Sequence, residues 1–143
     1  MDFNKRLKNI RKRANVTQKS VAEYLGITLR TYQRYEEGTI EPPLSKIVSI
    51  SEYFDIPTDC LLCNGFFANW DEILIHKEEI LLLLKEKILS FPSGFDTSVL
   101  TESQLAHILP AIFAKITFEG NEINVYPLVQ TDMFPISAYA DEH

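Results

Sequence analysis

Long hydrophobic runs are missing from this chain of 143 residues. The longest uninterrupted aliphatic stretch, Ile80 to Leu84, is far too short for the ~20 residues that cross a bilayer. No charged leader followed by an apolar segment opens the chain, so a cytoplasmic protein without membrane attachment is expected. Glycine is scarce, and none of the five glycines belongs to a phosphate-cradling loop. Histidine is scarcer still. His76, His107 and His143 are scattered, with no spacing that pairs them with a nucleophile or gathers metal ligands. The two cysteines, Cys60 and Cys63, stand as Cys-x-x-Cys. That spacing suits a redox pair or half a zinc site, but zinc needs two further ligands. The pair reads instead as two small apolar residues closing a helix. Neither an enzyme nor a metal or cofactor site is expected.

What is present is a lopsided charge. The formal net charge is −6, yet residues 1–63 carry ten Lys/Arg against eight Asp/Glu, whereas residues 64–143 carry four against twelve. Within residues 1–35 there are nine basic residues and two acidic ones. A polyanion meets the local patch and not the total, so the acidic balance does not exclude nucleic acid. The acidic half should face away from it. The split predicts two domains, 1–65 and 66–143, with Asn64-Gly65 at the boundary and Phe66-Phe67-Ala68 as an apolar bridge.

The segment Thr17 to Gly38 reads as two short helices joined at a glycine. Thr17 is a good N-cap, and Val21, Ala22 and Leu25 follow on one face. Gly26 stands where the first helix must stop, because glycine enters the left-handed region without steric cost. Ile27 plugs the corner and Thr28 caps the second helix. There Tyr32 and Tyr35 point inward, and Leu29, Arg30, Gln33 and Arg34 remain outside. Upstream, a helix over Phe3–Arg13 places Phe3, Leu7, Ile10 and Ala14 on one face. Downstream, Leu44, Ile47, Val48, Ile50 and Phe54, with Ile56, Leu61 and Leu62, supply the remaining core of a five-helix domain.

Residues 3–65 resemble the Cro/CI-type (XRE-type) helix-turn-helix regulators, in register through the motif, the exit Glu36-Glu-Gly38-Thr-Ile-Glu-Pro42 and the closing helices. The resemblance implies a lambda-repressor-like fold that binds double-stranded DNA. By position in the family pattern, Leu29, Arg30, Gln33 and Arg34 would contact bases. Arginine is the natural bidentate partner of guanine, glutamine suits adenine, and Leu29 can pack on a thymine methyl. Gln18 would contact phosphate and brace the recognition helix, and Lys19, Thr31, Thr39 and Arg6 would contact phosphate as well. Arg11 and Glu36 match an internal ion pair of the family.

The C-terminal half predicts a small α+β domain. Asn69, three residues before Glu72, looks like a capping pair opening a long helix from Trp70 to about Leu89. The Ile80–Leu84 run leaves that helix no wide polar face, so burial on more than one side is expected. Phe91-Pro-Ser-Gly-Phe95 breaks the pattern. Thr101-Glu-Ser-Gln104 is a capping box for a helix that Pro110 should kink or shift. Ile116–Glu119 and Glu122–Tyr126 flank Gly120-Asn121 as a hairpin, with Phe118 facing Ile123 and Ile116 facing Val125. An isolated hairpin is barely stable, so its apolar face needs a partner. Residues 70–126 are therefore the expected homodimer surface. A sequence-specific regulator, most simply a repressor dimer on a palindromic operator, is the leading function. The alternative is a switch whose C-terminal domain binds a small molecule or protein near Trp70, Phe91, Phe95, Phe113 and Tyr126.

Overall fold

The computed structural model describes residues 2–87 and 100–128, and these form a mainly helical structure with one two-stranded antiparallel sheet. The chain divides into two compact units, Met1–Ala68 and a second that begins at Asn69. The first unit runs three residues past the Gly65 boundary because Phe67 is buried and its carbonyl accepts from Arg6.

Five helices build the first unit: α1 (Phe3–Arg13), α2 (Gln18–Leu25), α3 (Leu29–Glu37), α4 (Leu44–Phe54) and α5 (Thr58–Leu61). A single turn of 3-10 helix, Gly65–Asn69, follows. Local chemistry fixes the ends of the central pair. The Thr17 hydroxyl accepts from the Ser20 amide at 3.1 Å, and the Thr28 hydroxyl from the Thr31 amide at 3.1 Å. At Gly26 (φ 68°) the Gly26 and Ile27 amides turn back to the Glu23 and Ala22 carbonyls, which closes α2 in a Schellman arrangement. The core is Leu7, Ile10, Val21, Ala22, Leu25, Tyr32, Tyr35, Ile50, Ile56, Cys60 and Leu61.

Four residues expected in that core are outside it. Leu44 is 76 % exposed, and Val48 and Leu62 are also largely exposed. Leu44 opens α4 directly behind Pro43, and Val48 lies one turn further along the same outer face. Ala14, the C-cap of α1, is exposed too. Apolar periodicity finds a stripe, but it does not say how much of the stripe a four-residue α5 can cover.

Gly38 ends α3 at φ 79°, and a Cβ built there would meet the Asn4 side chain at 3.0 Å. The same Asn4 amide donates to the Glu36 carbonyl at 3.3 Å. Glycine is required here for both conformation and space. Gly38→Ala should cost about 1–3 kcal/mol, more than the ordinary penalty for leaving glycine at a C-cap. Thermal unfolding against a Gly120→Ala control, where nothing lies within 4 Å of the added carbon, isolates the steric part. Equal losses at both sites would count against the Asn4 contact.

The second unit contains α6 (Trp70–Ile75), α7 (Lys77–Lys87), α8 (Glu102–Ile112), β1 (Phe113–Glu119) and β2 (Glu122–Pro127). The long helix expected from Trp70 is therefore interrupted. His76 leaves helical dihedrals (φ −99°, ψ 25°), and its ring stacks on Phe118 of β1 with centroids 5.1 Å apart. No proline or glycine marks the break; a tertiary contact does. Asn69 does not cap α6 with its side chain either. Its amide donates instead to the Ile116 carbonyl at 2.9 Å, tying the start of α6 to the sheet. Along α7, Ile80, Leu81 and Leu84 are buried, but Leu82 is 57 % exposed. The five-residue run is thus covered mainly on one side within the described chain. The expected helix end at Ile88–Leu89, the Phe91–Phe95 break and everything beyond Leu128 lie outside the described residues.

The capping box forms. The Thr101 hydroxyl accepts from the Gln104 amide and the Gln104 side chain accepts from the Thr101 amide. The helix starts there at Glu102 and carries Pro110 in its last turn. The Trp70 indole donates to Glu102 at 2.8 Å, joining α6 to the start of α8. The hairpin pairs Phe118 with Ile123, Ile116 with Val125 and Glu119 with Glu122, as the sequence register predicts. Gly120 (φ 61°) supplies the turn. β1 starts at Phe113, three residues before the alternation becomes visible, through an irregularity between Phe113 and Lys115.

Candidate nucleic-acid interface

α3 is amphipathic by necessity, because nine residues must both fill the core and face outward. Tyr32, Tyr35 and Glu36 are buried. Leu29, Arg30 and Arg34 are exposed and Gln33 is half-buried, so the four residues expected at base edges share the outer side. The Thr28 cap gives α3 a sharp start and leaves its first turn accessible.

One buried carboxylate holds that helix in place. Glu36 takes a bidentate pair from Arg11 of α1, Nε to Oε1 and Nη2 to Oε2, the second at 3.2 Å. The Gln18 amide donates to Oε2 at 2.9 Å and the Tyr32 hydroxyl to Oε1 at 2.9 Å. Four donors from three helices therefore converge on one side chain that is 7 % exposed. Burial pushes the Glu36 carboxyl up, but hydrogen bonds from Arg11, Gln18 and Tyr32 and the Arg11 charge outweigh it. The group is held below the ordinary carboxylate range. The bond to Glu36 raises Arg11 further above its already high value, and burial next to that carboxylate pushes the Tyr32 hydroxyl up. All three stay in the protonation states the cluster needs.

The phosphate candidates divide. Gln18 lies at the start of α2, where its carbonyl accepts from Gln33 at 3.5 Å. It thus links the carboxylate cluster to the outer face of α3. Lys19 and Thr39 are exposed and Thr31 is half-buried; the Thr39 hydroxyl lies 3.4 Å from the Arg34 carbonyl. Arg6 is a correction. It is 1 % exposed, with Nε donating to the Cys63 sulfur at 3.1 Å and Nη2 to the Phe67 carbonyl at 3.5 Å. It lies next to Leu7 on the buried face of α1 and tacks that helix to the chain after α5, so it is unavailable to phosphate. The bond also gives Cys63 a structural place, while Cys60 is fully buried in α5.

Two residues escaped the sequence reading. Lys8 and Glu37 join Gln18, Gln33 and Glu36 around an open depression of about 380 Å³ beside α3. Glu37 also pairs with Arg30, Nη1 to Oε1 at 3.2 Å. The separation of seven, two helical turns, was readable in the sequence. Asn4 against Gly38 was not, because nothing in local pattern reports which residue of α1 reaches the end of α3.

In the second unit, Trp70 and Phe113 are buried core residues and Tyr126 is 40 % exposed. Phe91 and Phe95 lie outside the described residues. Among the described residues no helix is long and apolar enough to cross a membrane, and no cluster of potential metal ligands occurs.

A helix-turn-helix family model matches residues 7–59. The SPbeta prophage-derived HTH-type transcriptional regulator YonR of Bacillus subtilis is 37 % identical over 81 residues, covering 55 % of this chain and 74 % of that protein. The cryptic phage CTXphi transcriptional repressor RstR of Vibrio cholerae is 33 % identical over 86 residues, 60 % of this chain and 70 % of its own. The HTH-type transcriptional activator BcrR of Enterococcus faecalis is 32 % identical over 62 residues, 43 % of this chain but 30 % of its own. No solved structure matches. With the capped α2–α3 pair, its glycine corner and the Arg11–Glu36 clamp in place, the chain belongs to the Cro/CI-type (XRE-type) helix-turn-helix transcriptional regulators.

Proposed function

We propose that the protein is a cytoplasmic repressor that binds a palindromic operator as a homodimer. The observation that carries the reading is α3 itself: a rigidly clamped helix whose outer side offers Leu29, Arg30, Gln33 and Arg34 together. Such a helix enters the major groove, where arginine and glutamine read guanine and adenine. Gln18, Lys19, Thr31 and Thr39 flank it as phosphate contacts and set its register on the duplex. One module of this size grips DNA weakly, so a pair on two half-sites about 34 Å apart is the economical arrangement. The exposed Ile75, at the end of α6, and Leu82, on α7, are apolar side chains of the second unit that dimerisation there would cover. Repression is favoured over activation by similarity to RstR, which spans more of both chains than the similarity to BcrR.

Selection of bound sequences from a random DNA pool by the purified protein tests the whole reading. An enriched inverted repeat is expected; a single asymmetric site, or none, would overturn it. On that operator, Arg30→Ala and Arg34→Ala should each weaken binding by about 1–3 kcal/mol and relax preference at one base pair per half-site. Uniform weakening on every sequence would reduce both residues to phosphate contacts.

A further inference from the structure

We propose that Glu37 is a positioning residue that acts through Arg30 and sharpens the reading of one base pair; the inference rests on the assignment of Arg30 to a base edge. Arg30 is the second residue of α3 and Glu37 the last. Seven residues span about 10.5 Å of helix rise, and positions i, i+3, i+4 and i+7 share a face. Arg30, Gln33, Arg34 and Glu37 therefore form one strip. The pair at 3.2 Å ties the Arg30 guanidinium toward the C-terminal end of that strip instead of letting it sweep through solvent. Glu37 borders the same depression as Gln18 and Gln33, so the carboxylate belongs to the reading face and not to the far side of the helix.

The geometry leaves the arginine usable. Only Nη1 bonds to Glu37, through a single carboxylate oxygen. The Nε/Nη2 edge retains two parallel donors, the fork that guanine O6 and N7 accept. Both partners are half-exposed, 62 % and 47 %, so the pair adds little to folding. What it changes is the freedom of the guanidinium. A long side chain ordered before the encounter loses less on binding than one ordered by it. Against this, the charge of Glu37 opposes phosphate on every sequence. The two effects separate cleanly, because only the first depends on the base.

The experiment uses the full-length protein and the base pair at which Arg30→Ala relaxes preference. At that pair, the ratio of affinities for the preferred and substituted operators is measured for wild type, Glu37→Gln, Arg30→Ala and the double variant. Glu37→Gln should lower the ratio about two- to fivefold, the range of an exposed ion pair, while binding to the substituted operator is unchanged or tighter. In the Arg30→Ala background it should leave the ratio unchanged. A uniform gain on all operators with the ratio intact would show that Glu37 only repels phosphate, and overturn the proposal. So would an equal loss of preference with and without Arg30. If Arg30→Ala relaxes no position at all, the base-reading assignment itself fails, and the role of Glu37 falls with it; that result is visible before Glu37 is altered.

Discussion

Glu36→Ala should bring the DNA-binding unit close to unfolding. The substitution removes the counter-charge of the Arg11 guanidinium, leaving it only its bond to the Val16 carbonyl, and takes the acceptor from the Gln18 amide and the fully buried Tyr32 hydroxyl. Removing one partner of a buried ion pair costs about 3–5 kcal/mol, a large share of what so small a domain possesses. For a unit of this size that corresponds to a fall in Tm of roughly 15 °C or more. Calorimetry checks it, with Glu36→Gln as the companion that keeps the shape and one acceptor oxygen but loses the charge and turns an amide NH2 toward groups that are themselves donors. Since the folded-state carboxyl lies below its ordinary value of 4.5, the stabilisation is complete above that pH and is lost as pH falls through the depressed folded value. The wild-type advantage over Glu36→Ala should therefore narrow on acidification below about pH 4.5 and stay flat from pH 6 to 8. A variant of unchanged Tm that binds DNA more tightly would mean that Glu36 merely repels phosphate.

The double substitution Ile75→Glu/Leu82→Glu should convert the proposed dimer into a monomer and weaken operator binding by about 10²–10⁴-fold, the advantage that linking two sites confers. The two side chains are 77 % and 57 % exposed, so charge at these positions leaves the fold of the unit undisturbed. Residues 1–68 alone should show the same weak binding. Sedimentation velocity and operator titration on the three proteins decide it. A dimeric variant, or a truncated chain that dimerises and binds as well as the whole, would place association elsewhere. In that case Leu44 and Val48 on the outer face of α4 become the next surface to alter.

How much of this was readable beforehand depended on the range of the forces involved. Thr17, Gly26, Thr28 and Thr101 act on amides within four residues, and each does what its side chain or its missing Cβ dictates. Ile116 opposite Val125 followed from a two-residue turn and a period of two. The failures are all tertiary. Asn69 has a partner nearer to hand in Glu72, yet it bonds a strand far along the chain. His76 sits in an unbroken apolar period and breaks it by stacking on Phe118. Arg6 looks like any other cation of a basic helix until α5 and the following turn fold over it. At the site, orientation was legible because helical periodicity sorts Tyr32 and Tyr35 from Arg30 and Arg34. What holds the helix at that orientation was legible only through the family resemblance.

The burial of Arg6 and the engagement of Arg11 have a consequence for counterions. Of the nine basic residues before Glu36, these two are withdrawn from the surface charge, and Arg30 is partly neutralised by Glu37. Each phosphate neutralised by a protein cation releases about 0.9 of a condensed ion, so the salt dependence of binding counts only side chains that reach the backbone. The cations left for indiscriminate attraction are then mainly the exposed Lys5, Lys8, Lys12 and Lys19, fewer than the basic count suggests. The protein's hold on random chromosomal DNA, and the salt dependence of that hold, should therefore be weaker than nine free cations would give.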